Sequence, residues 1–374
     1  MFIPDVVSQE HAELRATVRR LLETRSPEAA VRKAIDGEPG YDVELWRQMA
    51  GQLGLHGLGL PEAYGGSGYG AEETTIVYEE LGRALVPSPF FPSIALAAGL
   101  LVAVGDEESN QKYLSAIASG ELVATVAIAE PAGSWQPQDI SDVVAEPGDG
   151  GWRLSGEKVA VLSADTAGLI LVVVTAETGT SVYAVDPAAP GVTIAPLTTL
   201  DLTRRQSKVR FDHAPATLVG QRGAAATAVA SMLDHASVAL AAEQAGAAGY
   251  LMQMCVDYAK LRHQFGRPIG SFQAIKHKLA EMTFDVERMD SVVRHAATAA
   301  ATDSPELPVV ASIAKVFCSE AFFRVAAETI QVHGGIGFTW EHPAHLYFRR
   351  AKSSEYLLGS PAKHRGVLLE KLGV

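Results

Sequence analysis

Through residues 8 to about 120, apolar side chains recur every three or four positions, with Leu14, Val18, Leu21 and Leu22 on one helical face. Gly37-Glu38-Pro39-Gly40 and Val86-Pro87-Ser88-Pro89 interrupt the pattern. A first, all-helical domain over residues 1–121 is predicted. Beyond it the runs shorten and become rich in β-branched residues, as in Val123-Ala124-Thr125-Val126-Ala127-Ile128, Leu169-Ile170-Leu171-Val172-Val173-Val174 and Ser181-Val182-Tyr183-Ala184-Val185. Turn signals at Pro147-Gly148-Asp149-Gly150-Gly151 and Asp186-Pro187 separate them, which predicts a compact antiparallel barrel or sandwich over 122–220. After Gly220 the helical period returns. No proline falls between Pro215 and Pro268, and Met232, Leu233, Val238, Leu240, Leu251, Met252 and Val256 form an apolar stripe. Two further long helices, 272–301 and 308–332, flank Asp303-Ser304-Pro305, so a four-helix bundle is expected over 221–374. The fold class is α+β, in three units.

Composition narrows the function. Of 374 residues 48% are hydrophobic, enough for more than one core, and 31 basic against 43 acidic side chains give a net charge of -12. That balance offers no footprint for nucleic acid and no basic cluster for an anionic membrane. Cys255 and Cys318 each sit in an apolar helical stretch, so neither a disulfide framework nor a zinc site is expected. Met1-Phe2-Ile3-Pro4-Asp5 lacks the basic start of a secretory signal, and Asp234, His235 and Glu243 break the best apolar span. The cytoplasm is the expected location. His235, His333 and His345 lie on separate segments without metal-ligand spacing, and no metal is expected.

Two stretches of the bundle carry candidate chemistry. Arg262-His263-Gln264-Phe265-Gly266-Arg267-Pro268-Ile269, followed by Phe272-Gln273, offers a guanidinium that can grip a pyrophosphate and an aromatic face for a ring edge. Gln331-Val332-His333-Gly334-Gly335-Ile336-Gly337-Phe338 offers paired glycines that let backbone approach a phosphate closely, with His333 expected in the turn beside them.

These motifs, in this order within a helix, β, bundle architecture, resemble the acyl-CoA dehydrogenase family. The turn-rich Leu55-His56-Gly57-Leu58-Gly59-Leu60-Pro61-Glu62-Ala63-Tyr64-Gly65-Gly66-Ser67-Gly68 and the C-terminal Arg349-Arg350-Ala351-Lys352-Ser353-Ser354-Glu355-Tyr356-Leu357-Leu358-Gly359-Ser360 extend the likeness over nearly the whole chain. The resemblance implies FAD shared across a subunit boundary. On that reading Arg262, Gln264, Phe265, Gln273, Gln331, Val332, His333, Gly334 and Gly335 serve the cofactor of a neighbouring subunit. It also implies acyl-CoA as substrate and an electron-transfer flavoprotein as oxidant.

The chain departs from the family where flavin and substrate would lie. Leu358 stands where the resemblance expects the glutamate that removes the α-proton, and Ala236, followed by Ser237, stands at the alternative base position. Glu130-Pro131-Ala132-Gly133-Ser134-Trp135 is one residue short of the Gly-rich cradle, and Lys158-Val159-Ala160-Val161-Leu162 lacks the aromatic wall and hydroxyl. No catalytic residue is therefore assigned. Glu243 and Glu355 are fallback candidates for a relocated base, weighed against ordinary solvated or ion-paired glutamates. The pattern is most like the non-catalytic subunit of an actinobacterial heteromeric α2β2 acyl-CoA dehydrogenase, which implies a catalytic partner subunit and, by analogy, steroid or lipid side-chain β-oxidation. The alternatives are a self-sufficient homotetrameric dehydrogenase, a flavin-dependent monooxygenase of the same fold, and a purely structural partner.

Overall fold

The computed structural model describes residues 8–148 and 150–372; residues 1–5, weighed above for a signal, and Asp149 of the expected turn lie outside them. The first unit holds α1 (Gln9–Arg25), α2 (Glu28–Asp36), α3 (Val43–Gly51), α4 (Ala71–Arg83), α5 (Gly99–Val104) and α6 (Glu107–Ala118). The caps follow local chemistry: Ser8, Asp42 and Asp106 each accept a hydrogen bond from a first-turn amide of the helix they precede. Past the proline-rich break, residues Phe91–Ala98 form a π-helical stretch running into α5, which the apolar period does not announce. From this stretch Ser93 Oγ donates to Ala124 O at 3.0 Å and accepts from Ala124 N at 3.1 Å, joining the helical unit to the β unit.

The middle unit contains β1 (Ala124–Ala127), β2 (Val144–Gly148), β3 (Gly151–Leu162), β4 (Leu169–Ala176), β5 (Gly179–Val185), β6 (Val192–Pro196) and β7 (Gln206–Val219). Strand order is β1-β4-β5-β7-β3-β2, with β6 also on β7. One pair corrects the antiparallel expectation. β1 and β4 run parallel, because the excursion from 128 to 168 carries the chain back to the same end of the sheet before β4 begins. The unbroken apolar run in β4 has a physical reason. Leu169, Leu171 and Val173 face the core shared with the helices, whereas Ile170, Val172 and Val174 face the β unit's own core.

The last unit consists of α7 (Ala226–Leu261), the short hairpin β8 (His263–Gln264) and β9 (Arg267–Pro268), α8 (Gln273–Ala301), α9 (Leu307–His333), α10 (Ala344–Tyr356) and α11 (Pro361–Leu372). Successive long helices reverse direction, so the ends of α7 and α9 and the start of α8 meet at one end of the bundle. α4 of the first unit lies directly on α7. A Cβ at Gly82 would strike the Glu243 carbonyl and one at Gly246 would strike that of Glu79, so glycine is what allows the two backbones to touch. No helix among the described residues is long and apolar enough to cross a membrane.

Candidate cofactor and base sites

The end of the bundle where α7, α8 and α9 converge gathers the sequence-expected cofactor residues. Tyr258, one turn from the end of α7, stacks on His333 with ring centroids 4.3 Å apart, and its hydroxyl donates to the His333 carbonyl at 3.4 Å. This contact brings the two motifs together. Between β8 and β9 the chain reverses through Phe265 and Gly266, both left-handed (φ 54° and 76°), as a two-residue hairpin turn requires. Phenylalanine is a poor choice for that conformation, yet it stands at the tip, 92% exposed. A strained, solvent-facing aromatic is costly for a free surface and is expected of a contact residue. Arg262, Gln264, Gln273 and Gln331 are exposed around it, and among the described residues the Arg262 guanidinium has no ion-pair or hydrogen-bond partner. Gly334, left-handed at φ 64°, and Gly335 have nothing within 4 Å of where a side chain would begin.

One placement is corrected: His333, expected in the turn, instead closes the last turn of α9, where the side chains of both Val332 and His333 are buried. The His333 ring is held by its Nδ1 contact to Thr329 O at 2.8 Å, and burial lowers its pKa. Helical phase points these two inward while Gln331, Gly334 and Gly335 stay open.

The base positions lie elsewhere and are shut. Leu358 is 2% exposed and belongs with Ala236, Leu233, Leu162, Trp135, Ile140 and Leu357 to one continuous apolar core. Its backbone is left-handed (φ 62°), which disfavours a branched residue by about 1–2 kcal/mol, so the surroundings must hold it there. They do. His364 Nε2 lies 2.9 Å from the Leu358 carbonyl, and buried Lys315 donates to Ser319 Oγ, Ser354 O and Glu355 O, each at 3.0 Å, capping the C-terminus of α10. Burial pulls the Lys315 ammonium down to about 7 and the His364 imidazole to about 4. Sequence inspection missed both residues. A lone lysine inside an apolar helix such as α9 was the available signal.

The altered cradle is a strap across the same region. At one end the Glu130 carboxylate accepts from the amides of Ser141 (2.7 Å), Asp142 (2.8 Å) and Val143 (3.1 Å) and from Lys158 Nζ (2.8 Å). At the other, Asp139 meets Lys363 Nζ of α11 at 3.2 Å and Ser134 Oγ at 2.8 Å. Beneath it Trp135 is 6% exposed. Burial acts to raise the Glu130 pKa, but the Asp142 amide and Lys158 outweigh it and the pKa is lowered. Its contribution is therefore complete above the ordinary carboxylate range, near pH 4.5, and is lost as pH falls through the lower folded value. Hydrogen exchange should show the amides of 141–143 losing protection in that acid window, and already at pH 7 in Glu130→Gln.

Neither fallback glutamate is placed as a base. Glu355 pairs with Lys352 at 2.9 Å near the surface. Glu243 is buried, accepting from Arg204 Nη2 at 2.6 Å and from Arg350 Nη1 at 2.7 Å. Arg350 also donates to Thr203 Oγ1 at 2.6 Å, and its Nε lies 2.8 Å from Asp201 Oδ2. Burial opposes ionisation of Glu243, yet Arg204 and Arg350 win and lower its pKa. A carboxylate so held is a poor proton acceptor.

Two family models match the chain: the acyl-CoA dehydrogenase N-terminal domain over residues 8–121 and the acyl-CoA dehydrogenase C-terminal domain over residues 223–373. They place it among FAD-dependent oxidoreductases acting on CH–CH groups. The chain belongs to the acyl-CoA dehydrogenase family. Acyl-CoA dehydrogenase IpdE2 of Mycolicibacterium smegmatis is 36% identical over 360 residues, 95% of this chain and 96% of the relative. Among solved structures, the Tcur3481-Tcur3483 steroid ACAD, as a variant, matches with a TM-score of 0.87 and 32% identity over 98% of both chains. The ChsE4-ChsE5 complex from Mycobacterium tuberculosis matches with a TM-score of 0.88 and 29% identity over 98% of both chains.

FAD fits this chain unevenly. The exposed set at the bundle end suits a pyrophosphate and an aromatic ring edge: a free guanidinium, open glycine backbone and a projecting phenylalanine. The ring side does not fit, since Trp135, Leu162, Ala236 and Leu358 are packed into core, and the side chains of Leu162, Ala236 and Leu358 offer neither a base nor a hydrogen-bond donor.

Proposed function

We propose that this chain is the non-catalytic subunit of a heteromeric acyl-CoA dehydrogenase, completing the FAD site of a catalytic partner and holding no flavin of its own. The observation that carries the reading is the contrast between the exposed Arg262, without an ion-pair partner among the described residues, and exposed Phe265 on one side and the buried apolar core around Leu358 on the other. The likeness to the Tcur3481-Tcur3483 steroid ACAD and to the ChsE4-ChsE5 complex, each named for two components, supports it. A steroid or lipid acyl group on coenzyme A is the substrate class this likeness favours.

In the complex, bound FAD supplies the acceptor for a hydride leaving the β-carbon of the thioester. Arg262 would hold the pyrophosphate by paired, charge-assisted hydrogen bonds, the Gly334-Gly335 backbone would lie against it, and Gln264, Gln273 and Gln331 would bind polar edges. Phe265 would cover a ring face and exclude water. The α-proton goes to a carboxylate of the partner. Electrons pass on to an electron-transfer flavoprotein. Expressed alone, the chain should purify colourless. Co-expressed with its catalytic partner it should give a yellow complex with one flavin per two chains. A yellow chain on its own, bleached by an acyl-CoA, would favour the self-sufficient enzyme.

A further inference from the structure

Away from the cofactor-facing end, a cavity of about 330 Å³ opens between α1, α2, α4, α7 and α10. Its place on α7 is Tyr250, twelve residues before Arg262, or roughly 18 Å along the helix. We infer that this cavity binds a small carboxylate with an apolar or aromatic body, anchored by Arg83.

The charge arrangement singles out Arg83. Glu80 is committed to Arg15 and Arg19, which donate to it at 3.1, 2.9 and 2.7 Å. Glu28 is committed to Arg32 at 2.7 Å. Arg83 lies 3.9 Å from Glu80 Oε2 and 3.6 Å from Glu23 Oε1, both beyond hydrogen-bond range, and Glu23 is 62% solvent-exposed. Among the described residues its guanidinium thus donates no hydrogen bond, while its carbon stands 5.2 Å over the Tyr250 ring. A planar, loosely paired guanidinium facing a half-enclosed cavity is suited to a carboxylate, which accepts two of its N–H groups at once.

The walls define the rest of the ligand. Leu22, Val31, Leu85 and Leu346 give aliphatic surface, and Tyr250 and Tyr347, with rings 5.4 Å apart, give aromatic surface. The Tyr347 hydroxyl donates to the Arg83 carbonyl at 2.6 Å, which fixes the end of α4 and presents the guanidinium. The volume lies at the lower end of the range for small-molecule sites. One ring or a short branched chain with a carboxylate fits that space.

The test uses the full chain, alone or in its complex, with 3-phenylpropionate as probe and 3-phenylpropanol as its uncharged counterpart, titrated by calorimetry and by ligand-observed NMR. Saturable binding of the acid is expected, about tenfold weaker binding of the alcohol, and a similar loss for the acid with Arg83→Met. FAD content of the complex should not change in that variant. Equal affinity for acid and alcohol, unchanged binding to Arg83→Met, or no saturable binding would overturn the assignment. The acid and alcohol comparison needs no variant, so a misfolded substitution does not blunt the test. Flavin content reports on the cofactor reading separately.

Discussion

Arg262→Ala in this chain is expected to weaken FAD retention by the assembled enzyme at least tenfold, without destabilising the chain that carries the substitution. The two halves of that expectation come from one observation, an exposed guanidinium with no hydrogen-bond or ion-pair partner among the described residues. Removing such a side chain changes folding stability by within about 0.5 kcal/mol. A charge-assisted hydrogen bond to phosphate is worth about 1.5–3 kcal/mol, which corresponds to roughly 10- to 150-fold in affinity. Flavin fluorescence released on dilution of the complex measures the first half, and urea denaturation of the isolated chain the second. Unchanged FAD content would move the chain to the class of purely structural partners.

Glu243→Ala should produce the largest loss of stability, about 3–5 kcal/mol, because it leaves buried Arg204 without its carboxylate and takes one from Arg350. These arginines come from different parts of the chain. Arg204 lies in the loop before β7 and packs over Phe91 of the first unit at 5.2 Å, whereas Arg350 lies in α10. The cluster therefore joins all three units, and the loss should appear as a lower urea midpoint for the whole chain. Replacing Glu243 and Arg204 together by leucine and methionine should recover much of it, since an apolar pair of similar volume leaves no uncompensated charge. A relocated base predicts the opposite result, with stability unchanged and turnover abolished.

Much of this architecture was legible in the sequence because it is written in local periodicity. The long helices 273–301 and 307–333 and the strand at 169–176 follow directly from spacing and turn residues. The features that escaped are non-local. Nothing near Glu243 in sequence announces Arg204 or Arg350, so its ion-paired role needed the tertiary structure. The parallel pairing of β1 with β4 depends on where a forty-residue excursion returns. Helical phase, rather than residue type, turned Val332 and His333 inward while Gln331 stayed exposed. The left-handed Leu358 was unreadable for another reason: leucine normally signals helix or core, and only the contacts of Lys315 and His364 explain why the backbone turns there.

The most direct test of the two-sided account is a high-resolution structure of the chain assembled with its catalytic partner and FAD. The account predicts isoalloxazine density only in the partner's pocket, the adenosine-pyrophosphate end lying against Arg262, Phe265 and Gly334-Gly335, and Trp135, Leu162 and Leu358 still buried in the core. A flavin ring seated beside Leu162 and Ala236 in this chain would contradict it.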